Sequence, residues 1–471
     1  MNNKRTEKRG GRQQKHLMDQ TKEPMQKHKT VVVLGGGPAG VFTACGLADI
    51  GLSVTIITRP RPYPAWEGMS ERPVTTLRHF GFTQAVAALG PMVTRTAQWN
   101  GETQARNREY IVDRQAFDRA LLRDAAARGV TVMDGRVDRV GRGDQRWRVF
   151  WTQDGVARQI DADFLVEARG REARGGYVKD ADKRHTAGPA TSALLKSYTV
   201  PEEMPMTAVA AFENGWAWHL RDGKGQAILQ IFTRSDKGHL PPKTGLPQFF
   251  DDLVTQLPEA ADWLKDAAPL SDRVSVRTAA AQKSHHTGGD DFLVVGDGAM
   301  ALDPLSGNGL FYAIGSGLAA VPVINSLLKT PENRDLALHF YQERLDVAFD
   351  GGCAMGREFY ALEARWPDNE FWAARRAWPR DAGPSHPDPL SQPARVMEKP
   401  VVRDGLIVAQ KVIVTADYPR GVWQLDGVPL VALLEQILKD GYDDGKYAAA
   451  LKVDVDQVIV ARKWLAARQI M

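Results

Sequence analysis

The sequence predicts an α/β chain built on a Rossmann-like parallel sheet, with an inserted antiparallel β-sheet and a small C-terminal helical domain. Three observations predict it. The apolar strand Val31-Val32-Val33-Leu34 runs into Gly35-Gly36-Gly37-Pro38-Ala39-Gly40 and a helical stretch to Ile50. Gly51 stops that helix and Ser53 to Ile57 form a second strand, completing one β-α-β unit. From Met206 to Thr233, three apolar strands are joined by Glu213-Asn214-Gly215 and Asp222-Gly223-Lys224-Gly225, which suit hairpin turns. From Val428 onward the apolar period becomes helical, with Leu430, Leu433, Leu434 and Ile437 on one stripe and a second helix from Asp456 to Gln469.

A chain of 471 residues suits two or three packed units. Its pattern divides into a basic tail over 1–28, a core over 29–365, a Pro-rich linker or wrapping segment over 366–427 and the helical domain over 428–471. Pro367, Pro379, Pro384, Pro387, Pro389 and Pro393 mark the linker. A hydrophobic share of 43% and a charged share of 25% are those of an ordinary globular protein. Nine Lys or Arg against three acids from Met1 to Lys29 give that end +6, which leaves about −2 for the rest of a chain whose total is +4. The body therefore offers no bulk attraction for nucleic acid. No apolar run reaches the length of about 18 residues that suggests a membrane span. The tail lacks the apolar core of a secretory signal, which predicts a cytoplasmic location. Cys45 and Cys353 are too few for a disulfide framework and are expected to pack; the ten histidines show no zinc-type spacing, so no metal is expected.

A strand that ends in Gly-x-Gly-x-x-Gly and opens a helix aims backbone N–H groups and the positive end of the helix at a pyrophosphate. Gly35 permits the tight turn, Gly37 leaves room for the phosphate, and Gly40 lets helix and strand approach; Pro38 and Ala39 complete the loop. The acid expected about 20 residues on, at the end of the second strand, is absent. Thr58 and Arg59 stand there and are the candidates for the ribose end.

Three further segments fix the kind of dinucleotide. Arg114-Gln115-Ala116-Phe117 matches an Arg-x-x-Phe helix start, and Phe164-Leu165-Val166-Glu167-Ala168-Arg169-Gly170 a strand-and-glycine segment. Phe292-Leu293-Val294-Val295-Gly296-Asp297 is followed by Asp303-Pro304-Leu305-Ser306-Gly307-Asn308-Gly309. In order and spacing, from about Val31 to Leu328, the chain resembles the superfamily of FAD-dependent aromatic hydroxylases and flavin halogenases, the group-A, GR2-type fold. The resemblance implies FAD, held by parts at about 29–65, 110–175 and 285–330, with substrate-side parts at about 66–109 and 195–284. It implies that Asp297, after Gly296, holds the ribityl chain, that Arg114 serves the cofactor, and that Pro304, Gly307, Asn308 and Gly309 place the flavin ring over the substrate cavity.

In that superfamily the reduced cofactor and oxygen supply an electrophilic oxygen atom, and the protein supplies orientation and water exclusion. Halogenases divert this reactivity with chloride and need a lysine shortly after the segment that here reads Glu67-Gly68-Met69-Ser70-Glu71-Arg72. No lysine occurs between Lys29 and Lys179. Gly215-Trp216-Ala217-Trp218-His219-Leu220-Arg221 resembles the halogenase motif Trp-x-Trp-x-Ile-Pro, with Arg221 where proline belongs. On a strand Trp216 and Trp218 share one face, so with Trp66 and Pro304 they are candidates for the cavity wall. Glu67, Glu71 and His219 are the candidates for acid–base work.

The Trp66 to Arg72 segment, the missing lysine and the C-terminal appendage resemble a narrower group, the flavoprotein monooxygenases that mature tryptophylquinone cofactors such as that of quinohemoprotein amine dehydrogenase. That resemblance implies a protein substrate, the small subunit of an amine dehydrogenase, hydroxylated at a tryptophan, with NAD(P)H or a separate flavin reductase as electron source. A small-molecule phenol or indole hydroxylase is the alternative; a halogenase fits less well for want of the lysine, and a DNA-binding flavin sensor because Asp440, Asp443, Asp444, Asp454 and Asp456 beside the last helices repel phosphate.

Overall fold

The computed structural model describes residues 29–143, 145–172, 184–186, 188–236, 238–284 and 286–471, so the basic tail over 1–28 and His285 lie outside the described residues. The core is a five-stranded parallel sheet in the order Phe292–Val294, Phe164–Glu167, Thr30–Leu34, Ser53–Thr58, Thr131–Asp134. Val31, Val32, Val33 and Leu34 are fully buried, as a central strand covered on both faces requires. Helix Pro38–Asp49 packs on this sheet and against helix Gly309–Lys329. Among the described residues Gly309–Lys329 is the one helix long and apolar enough to cross a membrane. It buries Leu310, Ile314, Ala320, Val323 and Ile324 in the main core beside the long helix Arg334–Ala361.

Over the parallel sheet stands a nine-stranded, mostly antiparallel sheet. Its centre is the run Met206–Phe212, Gly215–Arg221, Gln226–Arg234, and its edge is Trp66–Met69 paired with Glu102–Asp113. Every residue of Gly215–Arg221 is buried, so both faces of that strand are covered. Trp216 and Trp218 pack with Ile228 and Phe232 on one side, while Ala217 lies with Leu229 and Ile231 on the other. Helix Arg114–Ala127 starts where the sequence places it because the Asp113 carboxylate accepts the Gln115 N–H at 2.9 Å.

The structure corrects the reading of 366–427 as linker. Helix Glu370–Arg376 and the three-stranded antiparallel sheet Arg395–Arg403, Leu406–Thr415, Tyr418–Val422 occupy half of it. The prolines end at Pro393 as a cluster, and Asp404-Gly405, both at positive φ, turns a hairpin between two β-branched runs. Ile407 buries in the main core and its N–H donates to the Ser326 hydroxyl at 2.7 Å. The helices Leu430–Asp440, Asp444–Leu451 and Val455–Ala466 follow and share a separate core with Ile413 of the sheet. The C-terminal unit is thus sheet plus helices, and its sheet is the part fastened to the core.

Candidate active site

A continuous cleft of about 2340 Å³ runs between the parallel sheet and the large sheet. At one end lies the glycine loop. Gly35 sits at φ +109°, and a Cβ there would stand 2.6 Å from the Ala168 carbonyl oxygen; a Cβ on Gly40 would meet the Gly35 carbonyl oxygen at 2.2 Å. Both positions require glycine. Gly37 differs, since a Cβ there would meet no protein atom within 4 Å and would project into open space. Gly37 also caps helix Pro38–Asp49 with no side-chain cap and no acid in the first turn, which leaves its terminal N–H groups for an anion. Thr58 lines the cleft, but its hydroxyl accepts the Gly36 N–H at 3.0 Å, so it braces the loop. Arg59 lines the cleft beside it, and Asp134, paired with Thr58 in the sheet register, adds a carboxylate there that the sequence reading did not name.

The middle of the cleft holds Gly296, Asp297, Arg114 and Glu67. Deep placement raises the Asp297 carboxyl against the pull of Arg171 at 3.5 Å, yet 42% of its side chain faces the cleft and is open to a ligand. Arg114 ion-pairs with Glu67 and with Asp118, the latter at 3.0 Å. Burial opposes the Arg114 charge, but Asp118 and Glu67 outweigh it and hold the guanidinium above its ordinary value. These residues fit an extended dinucleotide: a cradle a Cβ would fill at one end, a reachable carboxylate at the centre, and the turn Pro304–Ser306, followed by Gly307 and Gly309, at the other.

Trp66, Trp216, Trp218 and Pro304 all line the substrate end. Besides Gly40, which packs against Gly35 behind the loop, three candidates from the sequence lie off the cleft lining. Glu71 pairs with Arg78 on the surface, away from the cleft lining. His219 is fully buried on the far face of its strand, stacked on Trp263 with centroids 5.1 Å apart, and its Nδ1 meets the Ile228 carbonyl at 3.1 Å. Burial lowers its pKa to about 3, so it stands as a neutral packing residue. The strand alternation that puts Trp216 and Trp218 on the cavity side necessarily puts His219 on the other. Asn308 precedes helix Gly309–Lys329 and its amide approaches the Met355 sulfur at 3.9 Å.

Residues 65–387, more than half of the chain, match the family described as tryptophan halogenase. The chain belongs to the tryptophan halogenase family. Within it, the tryptophan 2-halogenase of Chondromyces crocatus is 28% identical over 374 residues, covering 74% of this chain and 70% of that protein. The putative FAD-dependent oxidoreductase LodB of Marinomonas mediterranea is 23% identical over 381 residues, 74% of this chain and 96% of that one. The solved structure of QhpG, a peptidyl tryptophan dihydroxylase essential for tryptophylquinone cofactor biogenesis, is 36% identical and superposes with a TM-score of 0.80 over 94% of this chain and 99% of QhpG. This member of the tryptophan halogenase family is an FAD-dependent oxidoreductase of the monooxygenase type, with FAD as its cofactor.

The missing lysine of this family member was readable in its sequence, and the hydrogen bonds at the substrate end were not. Among the described residues no lysine lines the cleft. At the substrate end, the Trp216 indole N–H donates to the Tyr360 hydroxyl at 3.0 Å, and Tyr360 lies 3.1 Å from both carboxylate oxygens of Asp303. Asp303 was quoted in the sequence only as the start of a motif, and Tyr360 stands on the long helix with no local signal of its own.

Proposed function

We propose that this chain is a monooxygenase that hydroxylates a tryptophan within a polypeptide, during maturation of a tryptophylquinone cofactor. The observation that carries the reading is the likeness to QhpG at 36% identity over nearly the full length of both chains. Among the described residues no lysine lines the cleft, which supports it, because the halogenase resemblance calls for a lysine at the site. The shape of the substrate end supports it too. Trp216 and Trp218 form a rigid aromatic wall, and Phe359 and the 60% exposed Leu362 give the cleft an apolar rim that a chain segment can cover.

FAD, once reduced and supplied with oxygen, provides the electrophilic oxygen atom. The glycine loop and Asp297 hold the dinucleotide, while Trp66, Trp216, Trp218 and Pro304 orient an indole and exclude water. Indole is electron-rich, and a first hydroxyl activates the ring for a second. The partner is the small subunit of an amine dehydrogenase, and NAD(P)H or a separate flavin reductase supplies electrons. Cytoplasmic action, before any export of that partner, completes the proposal.

The test is mass spectrometry of such a subunit after incubation with reduced enzyme and oxygen. One tryptophan gains mass in steps of one oxygen, and free tryptophan reacts poorly because it lacks the remote contacts that orient the ring. A chlorinated product in the presence of chloride, or efficient turnover of free phenols or indoles, overturns the proposal.

A further inference from the structure

We propose that Asp303 takes up the ring proton during oxygen insertion, and that Tyr360 is the positioning residue that holds Asp303 in register with the cavity wall. This rests on the aromatic hydroxylase reading above. The geometry is a hydrogen-bonded chain across three elements. Trp216 on the wall strand donates to Tyr360 at 3.0 Å, so the Tyr360 proton is directed onward, to a carboxylate whose oxygens both lie at 3.1 Å. The Leu305 N–H donates to the same carboxylate at 3.0 Å. One O–H and one N–H leave acceptor sites free on a group with about four lone-pair positions. Asp303 lines the cleft next to Pro304 and Leu305, which places this capacity at the substrate end.

Hydroxylation needs such a group. A ring C–O bond forms, the C–H electron pair returns to the ring, and the proton leaves. In balance, one ring C–H, one O2 and one reduced FAD give one C–OH, one water and oxidised FAD. The groups that face Asp303 are Tyr360 and Cys353 from the long helix, Arg375 from helix Glu370–Arg376, and Arg171 from the turn Gly170–Glu172. Arg375 donates to the Phe371 and Ala190 carbonyls and the Thr191 hydroxyl, and Arg171 to the Ala280 and Leu302 carbonyls. Burial raises the Asp303 carboxyl, while the Leu305 N–H, Arg375 and the Tyr360 hydroxyl restrain the rise. A carboxyl so placed is a better proton acceptor than an exposed one.

The test follows the visible absorption of the FAD-loaded protein against pH, in wild type, Asp303→Asn and Tyr360→Phe. In wild type the flavin bands shift as a carboxyl ionises above the ordinary carboxylate range. Asp303→Asn abolishes the shift, and Tyr360→Phe moves it to higher pH, because a hydrogen bond favouring the carboxylate is lost while the ring still packs. With a tryptophan-bearing partner, Asp303→Asn slows oxygen insertion on the order of 100-fold with FAD retained. An Asp303→Asn protein that titrates like wild type, or a Tyr360→Phe protein whose shift does not move, overturns the assignment. Should the spectra behave as expected while the partner gains no oxygen, the substrate reading falls and the Asp303–Tyr360 assignment stands.

Discussion

Arg114 and Glu67 form an ion pair that joins the first turn of helix Arg114–Ala127 to the edge strand Trp66–Met69 inside the cleft. The guanidinium is 9% exposed and also contacts Asp118, so removing it takes the cation from Glu67, while Asp118 keeps Arg61 at 3.2 Å. Arg114→Met is expected to cost about 1–3 kcal/mol of stability, the weight of lost hydrogen bonds to charged groups, and most of the bound FAD. Glu67→Gln leaves Asp118 in place, and Glu67 is 38% exposed, so its cost is about 1 kcal/mol or less. Urea unfolding with FAD content by absorbance checks both; equal losses in the two variants would mean that Arg114 does not organise this part of the site.

Gly37 and Gly40 sit three residues apart and answer substitution differently. Gly37→Val places its side chain in open space at an ordinary extended backbone, so the protein folds and is colourless because the phosphate position is filled. Gly40→Ala drives a methyl against the Gly35 carbonyl and destabilises the apoprotein itself. Circular dichroism melts without FAD separate the two; a yellow Gly37→Val protein would remove this loop from the cofactor site. Asp297→Ala, which removes one group without filling the space, weakens FAD by roughly tenfold, the weight of one hydrogen bond of about 1.4 kcal/mol.

His219 makes the fold sensitive to acid. Its folded pKa, lowered to about 3, lies below the ordinary value of 6.5, so the unfolded chain takes up a proton that the folded chain refuses. The stability this neutral imidazole contributes is present above pH 6.5 and is lost as the pH falls towards 3. At pH 5, about 1.5 units below the free value, the loss is roughly 2 kcal/mol. His219→Leu flattens that part of the pH profile. Urea midpoints at pH 7 and pH 5 in both proteins measure it, and an unchanged slope in the variant would show that another group carries the acid sensitivity.

Removing Val428–Met471 is expected to do more than detach a domain. Ile413 and Val422 belong to the sheet that stays behind, and both pack against the helices removed. The truncated protein exposes that sheet face, and the loss exceeds the about 2–5 kcal/mol of a single large-to-small core change. Lower solubility and a lower melting temperature, read by light scattering and calorimetry, are the expected outcomes. A fully soluble truncation with an unchanged melt would mean that the sheet needs no cover.

The sequence by itself determined the elements whose rules are local. The Gly35 to Gly40 loop, the helix start at Arg114, the hairpins around Asn214-Gly215 and Asp222-Gly223, and the Trp216/Trp218 alternation are each written within a few residues, because turn chemistry and strand period act at that range. The order of the flavin segments was legible for the same reason. The sheet at 395–422 was missed although Asp404-Gly405 signals its hairpin, since the prolines before it drew the whole stretch into one reading. Only the tertiary structure decided which ionisable groups meet. Glu67 and Arg114 are 47 residues apart and Asp303 and Tyr360 are 57 apart. His219 was lost to the core by the packing of a second layer on its face, which no spacing along the chain records. Contacts of that length are set by how sheets stack, and stacking depends on the summed burial of whole faces rather than on any one residue's neighbours.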